Sequence, residues 1–385
     1  MMVTFSALVN LIFFSAIAVV LLKIVFRNNH AVLKLDIRFL LVCMLLILLR
    51  LFIPVESPLT RNIPVDRFYP DVYMFLKEPL VTVSGFKISI LIILKSIWGI
   101  GIVFALIKLI FSYLMVKKKI RSLEKLENQD VINAVNEINS RVKRPAAFEL
   151  MTSQDINTPC VFGILKPYIV IPPIEFTKEE LDFVLKHEML HFYRGDLFIK
   201  VFCEMLNVIY WWNPFVHMLC RLISDMQEIN VDFKIIKKLP EAEQLDYSEC
   251  LVKVARIREK KKQEKRWIVA FQKESPSAVH KRISLMLNNL EISKRKTAAT
   301  VVLAGVILSL IILCPNVMIF EPYAIPSEDA EGTFGISDNI YYLKNADNTY
   351  SLYLDGECAG TLKEVYDENI RIYNSLEEAE AANRE

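Results

Sequence analysis

The sequence is poor in the residues that build many catalytic and binding sites. It has five histidines and seven cysteines among 385 residues. No two cysteines form a Cys-x-x-Cys pair and their spacing is irregular, so the pattern indicates neither a disulfide framework nor a cysteine zinc site. The formal net charge is only +2. Because that charge gives no positive field to attract phosphate, we expect no direct nucleic-acid partner.

Apolar residues, in contrast, are abundant. They make up 53% of the chain and the mean hydropathy is +0.32, which is more apolar than is usual for a soluble protein. The excess is concentrated in a few runs, and about 20 apolar residues can cross a bilayer. We predict four transmembrane helices, over Val3–Phe26, Phe39–Val55, Ile88–Val116 and Ala298–Phe320. The first has no clear cleavage site, so we expect an uncleaved anchor.

Basic residues cluster on one side of these predicted spans. They follow the third span at Lys117–Lys119 and precede the fourth at Lys294–Lys296. The positive-inside rule places such ends in the cytoplasm. We therefore expect a multi-pass protein of the cell membrane, a mainly α protein in which residues 1–116 hold three spans. Residues 117–297 form a cytoplasmic α+β domain, residues 298–320 the fourth span, and residues 321–385 a small extracytoplasmic β-rich domain.

The cytoplasmic region combines strand and helix signals. Thr158–Pro173 predicts two strands and a turn, and Lys118–Val142 predicts a charged helix. Leu197–Ile223 is very apolar but carries polar residues and is interrupted at Asn213-Pro214, so it predicts a buried or membrane-apposed helix pair broken at the proline. A fifth, re-entrant span is the alternative. In the tail, Asn345–Asn348 is one of the signals of a β-hairpin.

One helix carries the strongest chemical signal, His187-Glu188-Met189-Leu190-His191. Thr177 and Glu180 form a capping box that starts the helix, and Gly195 is expected to end it. Residues four apart lie on one helical face, so His187 and His191 can hold one zinc ion. Glu188 is expected to take a proton from zinc-bound water and pass it to the leaving amine.

A catalytic zinc of this kind needs a third protein ligand. The downstream candidates are Glu204, in the apolar segment, and Glu228, which follows it after room to turn back. We favour Glu228, because Asp232 one turn later fits a carboxylate that orients a zinc-bound histidine. His217, in the apolar segment, is interpreted as a core histidine rather than as a ligand.

These residues carry a resemblance to a known family. His187-Glu188-x-x-His191-x-x-Arg194-x-Asp196, Trp211–Pro214, Glu228-x-x-x-Asp232 and Lys281-Arg282-Ile283 resemble the BlaR/MecR-type membrane zinc metallopeptidases, the antirepressor family that includes the β-lactam sensor-transducers. The resemblance covers about residues 1–320. It implies a gluzincin-like zinc domain with His187, His191 and Glu228 as ligands, Glu188 as the catalytic residue, and Asp196 and Asp232 beside the ligands.

The resemblance also implies a function. An outside signal would activate the inward-facing protease, whose substrate would be a cytoplasmic protein, a transcriptional repressor. Self-association as a homodimer is left open. The β-lactam receptors carry a nucleophilic Ser-x-x-Lys after the fourth span, but no tail serine of this sequence has a lysine three residues on. The sequence therefore argues against β-lactam sensing by acylation.

Two other functions compete with this interpretation. One is a housekeeping protease that removes damaged membrane proteins, and the other is a receptor or scaffold with an inert zinc site. The presence of Glu188 argues against the inert site, and the outer tail weakly favours signalling. A neighbouring gene for a small winged-helix repressor would favour signalling as well.

The cytoplasmic region also contains a candidate for self-cleavage. Trp267–Phe271 is a short β-prone run between charged segments, and an extended segment of this kind can enter a protease cleft. The alternative is that the run packs on the zinc domain, since apolar runs are more often buried.

The predicted orientation can be tested with cysteine substitutions. The tail already contains Cys358, so both substitutions are made in a Cys358→Ser background. Asn345→Cys, in the tail, should react with an impermeant thiol reagent on intact cells, whereas Lys262→Cys, in the basic cytoplasmic segment, should react only after lysis. The reverse pattern would place the protease domain outside the cell.

Overall fold

The computed structural model shows a mainly helical protein with four small sheets. It describes residues 5–52, 61–65, 68–83, 86–121, 123–153, 158–163, 166–262, 276–289, 298–309, 318–322, 340–345, 349–354, 357–362, 365, 370–376 and 378–379. The predicted self-cleavage segment, Trp267–Phe271, lies outside these residues.

The described helices range from 7 to 32 residues in length. They are α1 (Phe5–Arg27), α2 (Asn29–Leu35), α3 (Ile37–Phe52), α4 (Tyr69–Lys77), α5 (Ile90–Arg121), α6 (Gln129–Ser140), α7 (Lys178–Arg194), α8 (Asp196–Ile209), α9 (Pro214–Ile236), α10 (Glu241–Lys262), α11 (Pro276–Asn289) and α12 (Ala298–Leu308).

The strands are short and belong to four sheets. They are β1 (Arg61–Val65), β2 (Pro79–Val83), β3 (Phe86–Ser89), β4 (Glu124–Lys125), β5 (Glu149–Thr152), β6 (Cys160–Phe162), β7 (Tyr168–Ile171), β8 (Met318–Pro322), β9 (Ile340–Lys344), β10 (Tyr350–Leu354), β11 (Glu357–Leu362) and β12 (Arg371–Tyr373). The two larger sheets have the orders β4-β5-β7-β6 and β11-β10-β9-β12, and β1-β8 and β2-β3 form separate pairs.

The apolar helices match the predicted spans unequally. Ser6–Arg27 of α1 and Ile90–Lys118 of α5 are long and apolar enough to cross a membrane. The second predicted span appears as α3, which has 16 residues, and the described part of the fourth appears as α12, which has 11. Among the described residues, therefore, two of the four predicted spans meet the length of a bilayer on their own.

The prediction of a helix through Phe320 is wrong at its end. Met318–Pro322 is strand β8, which pairs in parallel with β1. The apolar run contains Pro315, and proline cannot continue a helix because it lacks the amide donor and clashes with the preceding turn. The pairing places β1, which follows α3 in the chain, beside β8, which follows α12.

The largest hydrophobic core joins the apolar helices α1 and α3 to the helices α8 and α9. Leu22 of α1, Met44 of α3, Leu206 of α8 and Leu219 of α9 each have no exposed surface and belong to one cluster. The predicted break at Asn213-Pro214 is present, because Asn213 caps α9 by accepting the Phe215 N–H at 2.9 Å. The helix pair α8–α9 therefore packs directly against α1 and α3.

The smaller elements follow the sequence signals in part. β6 and β7 form the expected antiparallel pair. The helix predicted over Lys118–Val142 is wrong in its middle: α5 ends at Arg121, β4 follows, and α6 begins again at Gln129. The new start occurs because the side chain of Asn128 accepts the N–H groups of Asp130 and Val131. In the tail, β9, β10 and β11 form antiparallel neighbours, as the hairpin signals predict.

The junction of α7 and α8 yields a stability prediction. Gly195 lies between them with φ of 72°, and the left-handed region costs an L-residue about 1–2 kcal/mol. Gly195→Ala should therefore lower the unfolding temperature in detergent, and Gly195→Asn should lower it less, since asparagine tolerates this region. Gly99→Ala on α5 is the matched control, because a Cβ there would meet no atom within 4 Å. Equal unfolding temperatures for the two alanine variants would contradict the assignment.

Candidate metal centre

The helix α7 presents both histidines on one buried face. Its capping box is formed, with Thr177 accepting the Glu180 N–H and the Glu180 carboxylate accepting the Thr177 N–H. The helix ends at Gly195, as the sequence predicts. His187 and His191 are buried, at 8% and 6% exposure, and their Nε2 atoms are 3.2 Å apart. Both imidazoles therefore point to the same place.

The helix α9 brings the third candidate ligand to that place. Glu228 Oε2 lies 3.2 Å from His187 Nε2, and Glu228 Oε1 lies 3.5 Å from His191 Nε2. Two ligand atoms that bind one zinc ion tetrahedrally at about 2.0–2.1 Å are themselves about 3.3 Å apart. The three residues therefore form a possible metal site, with a spacing that fits an ion between them.

The outer nitrogen of each histidine is held by a side chain on another element, a carboxylate for His191 and a tyrosine hydroxyl for His187. His191 Nδ1 lies 2.8 Å from Asp196 Oδ2. His187 Nδ1 lies 3.0 Å from the Tyr247 hydroxyl, which donates to Asp232 Oδ1 at 2.7 Å. Such contacts fix the ring tautomer and direct Nε2 towards a metal ion. Asp232 thus reaches its histidine largely through Tyr247, a residue that the sequence analysis missed.

A second missed contact comes from α11. Arg282 donates from Nε to Asp232 Oδ2 at 2.6 Å and from Nη2 to Asp232 Oδ1 at 2.8 Å. Its Nη1 lies 3.4 Å from Glu228 Oε2. The Lys281-Arg282-Ile283 pattern flagged this residue as a family feature, but no sequence signal assigned it to the centre. Tyr247 had no signal at all.

The charges around the ligands favour a cation between them. Burial disfavours a charge on His191, but Glu228 and Asp196 outweigh burial and raise its pKa to about 10. Burial likewise opposes charge on His187, yet its pKa is raised by Asp232 and Glu228. The pKa of Glu228 is held well below its ordinary value, because His191, His187 and Arg282 outweigh its burial. A proton or a metal ion is therefore stabilised at this point.

Glu188 stands beside the ligands rather than among them. Its Oε2 accepts the N–H of Val161, on β6, at 3.1 Å. Burial raises the pKa of the Glu188 carboxyl, which brings it closer to the range of an effective general base. The cleft in front of it is lined by residues of β6, α7, α8, α9, α10 and α11. The arrangement leaves Glu188 facing the same space as the three ligand atoms.

The remaining candidates lie elsewhere. Glu204 is on α8 and is not part of the metal cluster. His217 Nε2 donates to the Trp211 carbonyl at 2.9 Å, and its Nδ1 lies 2.9 Å from the Asn207 side chain. It is therefore a hydrogen-bonded histidine outside the cluster, as interpreted from the sequence, but it is half-buried and not part of the core. His30 and His280 are exposed and are also outside the cluster.

Several known proteins are similar in sequence to parts of this chain. A family model described as BlaR1 peptidase M56 matches residues 2–286. The regulatory protein BlaR1 of Bacillus licheniformis is 28% identical over 167 residues, 43% of this chain and 28% of that protein. BlaR1 of Staphylococcus aureus is 25% identical over 194 residues, 49% and 31% of the two chains. The methicillin resistance mecR1 protein of Staphylococcus aureus is 27% identical over 104 residues, 26% and 18%.

These matches span at most 31% of the length of the curated relatives named here. The family match is much broader, since it covers well over half of this chain. Its range includes His187, His191 and Glu228, together with Tyr247 and Arg282, which hold them. The chain belongs to the BlaR1 peptidase M56 family, a family of metallopeptidases.

Proposed function

We propose that this protein is a multi-pass membrane zinc metallopeptidase that converts a signal from outside the cell into cytoplasmic proteolysis. Its substrate is a cytoplasmic protein of the transcriptional-repressor class. The observation that carries the proposal is the meeting of His187, His191 and Glu228 in one buried cluster that lines a cleft. The regulatory names of the relatives support the signalling part.

The donor set suits zinc and hydrolysis. Two imidazole nitrogens and one carboxylate oxygen form a usual catalytic zinc set, with a fourth position open. Zinc, when bound, would polarise the scissile carbonyl as a Lewis acid and lower the pKa of the attacking water. Glu188 then accepts the proton from the attacking water and delivers it to the leaving amine. Val161 N–H holds the Glu188 carboxylate towards this space.

The substrate binds as an extended strand. Among the described strands β6 lies at the edge of its sheet, next to β7, and Cys160, Val161 and Phe162 of β6 line the cleft. An extended peptide can add to such an edge through main-chain hydrogen bonds, while pockets select its side chains. The cleft is also lined by the apolar residues Phe183, Val184 and Leu251, so we expect apolar side chains in the cleaved segment.

A short chain of contacts supports signal transmission to the centre. Asn29 of α2 donates to Ser284 of α11 at 2.8 Å, and the Lys281 ammonium donates to the carbonyl of Phe26 at the end of α1. Arg282, the next residue, binds Asp232 and Glu228. Displacement of α1 or α2 by a signal would therefore reach the metal ligands through one helix.

Metal content tests the ligand set. Purified wild-type protein should carry one zinc per chain, whereas Glu228→Ala should lose most of it, because two histidines alone leave the ion one protein ligand short. Glu204→Ala is the matched control, since Glu204 was the competing ligand by sequence and lies outside the cluster. The measurement is elemental analysis after dialysis. Equal zinc in wild type and Glu228→Ala would remove Glu228 from the site.

Proteolysis tests the role of Glu188. Glu188→Gln should keep zinc but cut protein substrates roughly 10²–10⁴-fold more slowly, the usual effect of losing a general base. New N-termini of cytoplasmic proteins are compared by mass spectrometry in cells that express wild type, Glu188→Gln or the control Glu179→Gln, whose residue is exposed on the same helix. The proposal fails if wild type and Glu188→Gln yield the same set of new termini.

A further inference from the structure

The helix α8 carries an exposed apolar surface that the peptidase activity does not use. Phe198, Val201, Phe202 and Met205 recur at helical spacing, and Trp212 continues the surface in the turn after α8. These five side chains, here called the hairpin stripe, are between 45% and 51% exposed. Their spacing places the four α8 residues on one helical face, while Cys203 on the opposite face is buried. A continuous apolar surface of this kind requires a partner.

The turn after α8 contacts α5, which is long and apolar enough to cross a membrane. Trp98 of α5 donates from Nε1 to the carbonyl of Ile209 at 2.8 Å, and Trp211 donates from Nε1 to the carbonyl of Trp98 at 3.3 Å. The Trp211 ring lies over Gly101, where a Cβ would come within 2.2 Å of it. Trp98 is about 30 Å from Lys118 at 1.5 Å of rise per residue. The turn therefore lies far from the Lys118 end of this apolar helix.

A second apolar helix gives the same depth. The Tyr210 hydroxyl donates to the carbonyl of Leu51 at 3.0 Å, and the Phe202 ring packs edge-on against Phe52 with centroids 5.7 Å apart. Leu51 and Phe52 are the last two residues of α3, so the turn meets the end of that helix. The helix pair thus extends along the apolar bundle instead of away from it.

Several backbone groups at this turn have protein partners. The carbonyls of Ile209 and Trp211 accept from Trp98 and His217, and the Phe215 N–H donates to Asn213. In a hydrocarbon environment no water is present, so free carbonyl and amide groups at a helix end must be satisfied within the protein. The pairing of these groups matches that requirement.

We propose that α8, the turn at residues 210–213 and the first half of α9 form a re-entrant hairpin inserted in the bilayer, with lipid acyl chains covering the hairpin stripe. The inference goes beyond the peptidase function and does not depend on it. α8 begins at Asp196, which contacts His191, and α9 carries Glu228. The metal centre accordingly lies at the base of this hairpin, where the chain leaves the membrane.

Lipid photocrosslinking tests the proposal on the unmodified full chain. One protein molecule is reconstituted per phosphatidylcholine nanodisc. Part of the lipid carries a photoreactive diazirine on its acyl chain. After illumination, lipid adducts mapped by mass spectrometry should occur in residues 198–212 at a level similar to that on α5, where Phe104 and Phe111 are 71% and 64% exposed. The exposed surface of α10, with Leu245 at 58%, should carry several-fold fewer adducts.

Hydroxyl-radical labelling in the same nanodiscs supplies the second measurement. The hairpin stripe, and Met205 in particular, should be oxidised several-fold less than Leu245 after correction for intrinsic reactivity. Oxidation of the stripe at the level of Leu245 would show that water covers it and would overturn the proposal. Protection of the stripe without lipid adducts, in discs where α5 is labelled, would also overturn it, because protein and not lipid would then cover the surface.

Discussion

A single buried carboxylate, Asp232, joins the helices on which the metal centre depends. It has no exposed surface and receives hydrogen bonds from Arg282 on α11 and Tyr247 on α10, while Tyr247 also contacts His187 on α7. A buried charge is tolerated only when it is paired and hydrogen-bonded, and loss of one partner of such a pair costs about 3–5 kcal/mol. Four helices are therefore held in register by the need to neutralise one side chain of α9.

The same requirement makes α11 part of the centre, although it lies far along the chain from α7. The guanidinium of Arg282 makes a bidentate contact with Asp232 and also contacts Glu228. A guanidinium remains charged under all physiological conditions. Arg282 therefore supplies a permanent positive charge beside the candidate metal site, whose own charge would depend on whether an ion is bound. The geometry thus separates two tasks: Arg282 keeps the carboxylates in place, and the two histidines with Glu228 form a cluster that could hold a metal ion.

Local signals explain what the sequence could predict. The start and end of α7 are determined by Thr177 with Glu180 and by Gly195, and the break before α9 by Asn213-Pro214, all within a few residues of the feature. The contacts of Tyr247 and Arg282 with Asp232 join residues 15 and 50 positions apart, and no local pattern specifies them. The parallel pairing of β1 with β8 joins Arg61 to Met318, which are still further apart along the chain, and no local pattern specifies it either. Glu228 could be chosen over Glu204 because Asp232 follows it by one helical turn.

The connection between α7 and α8 consists of one residue, since Gly195 ends the first helix and begins the second. The φ and ψ angles of Gly195 are thus the only backbone torsion angles between α7, which carries the histidines, and α8, which runs along the apolar bundle. Asp196 lies immediately beyond this joint and holds His191. A tilt of α8 is consequently either absorbed by Gly195 or delivered to the imidazole as a change of angle. Because the joint is a single residue, a movement of α8 has only the φ and ψ angles of Gly195 in which to dissipate before it reaches Asp196 and His191.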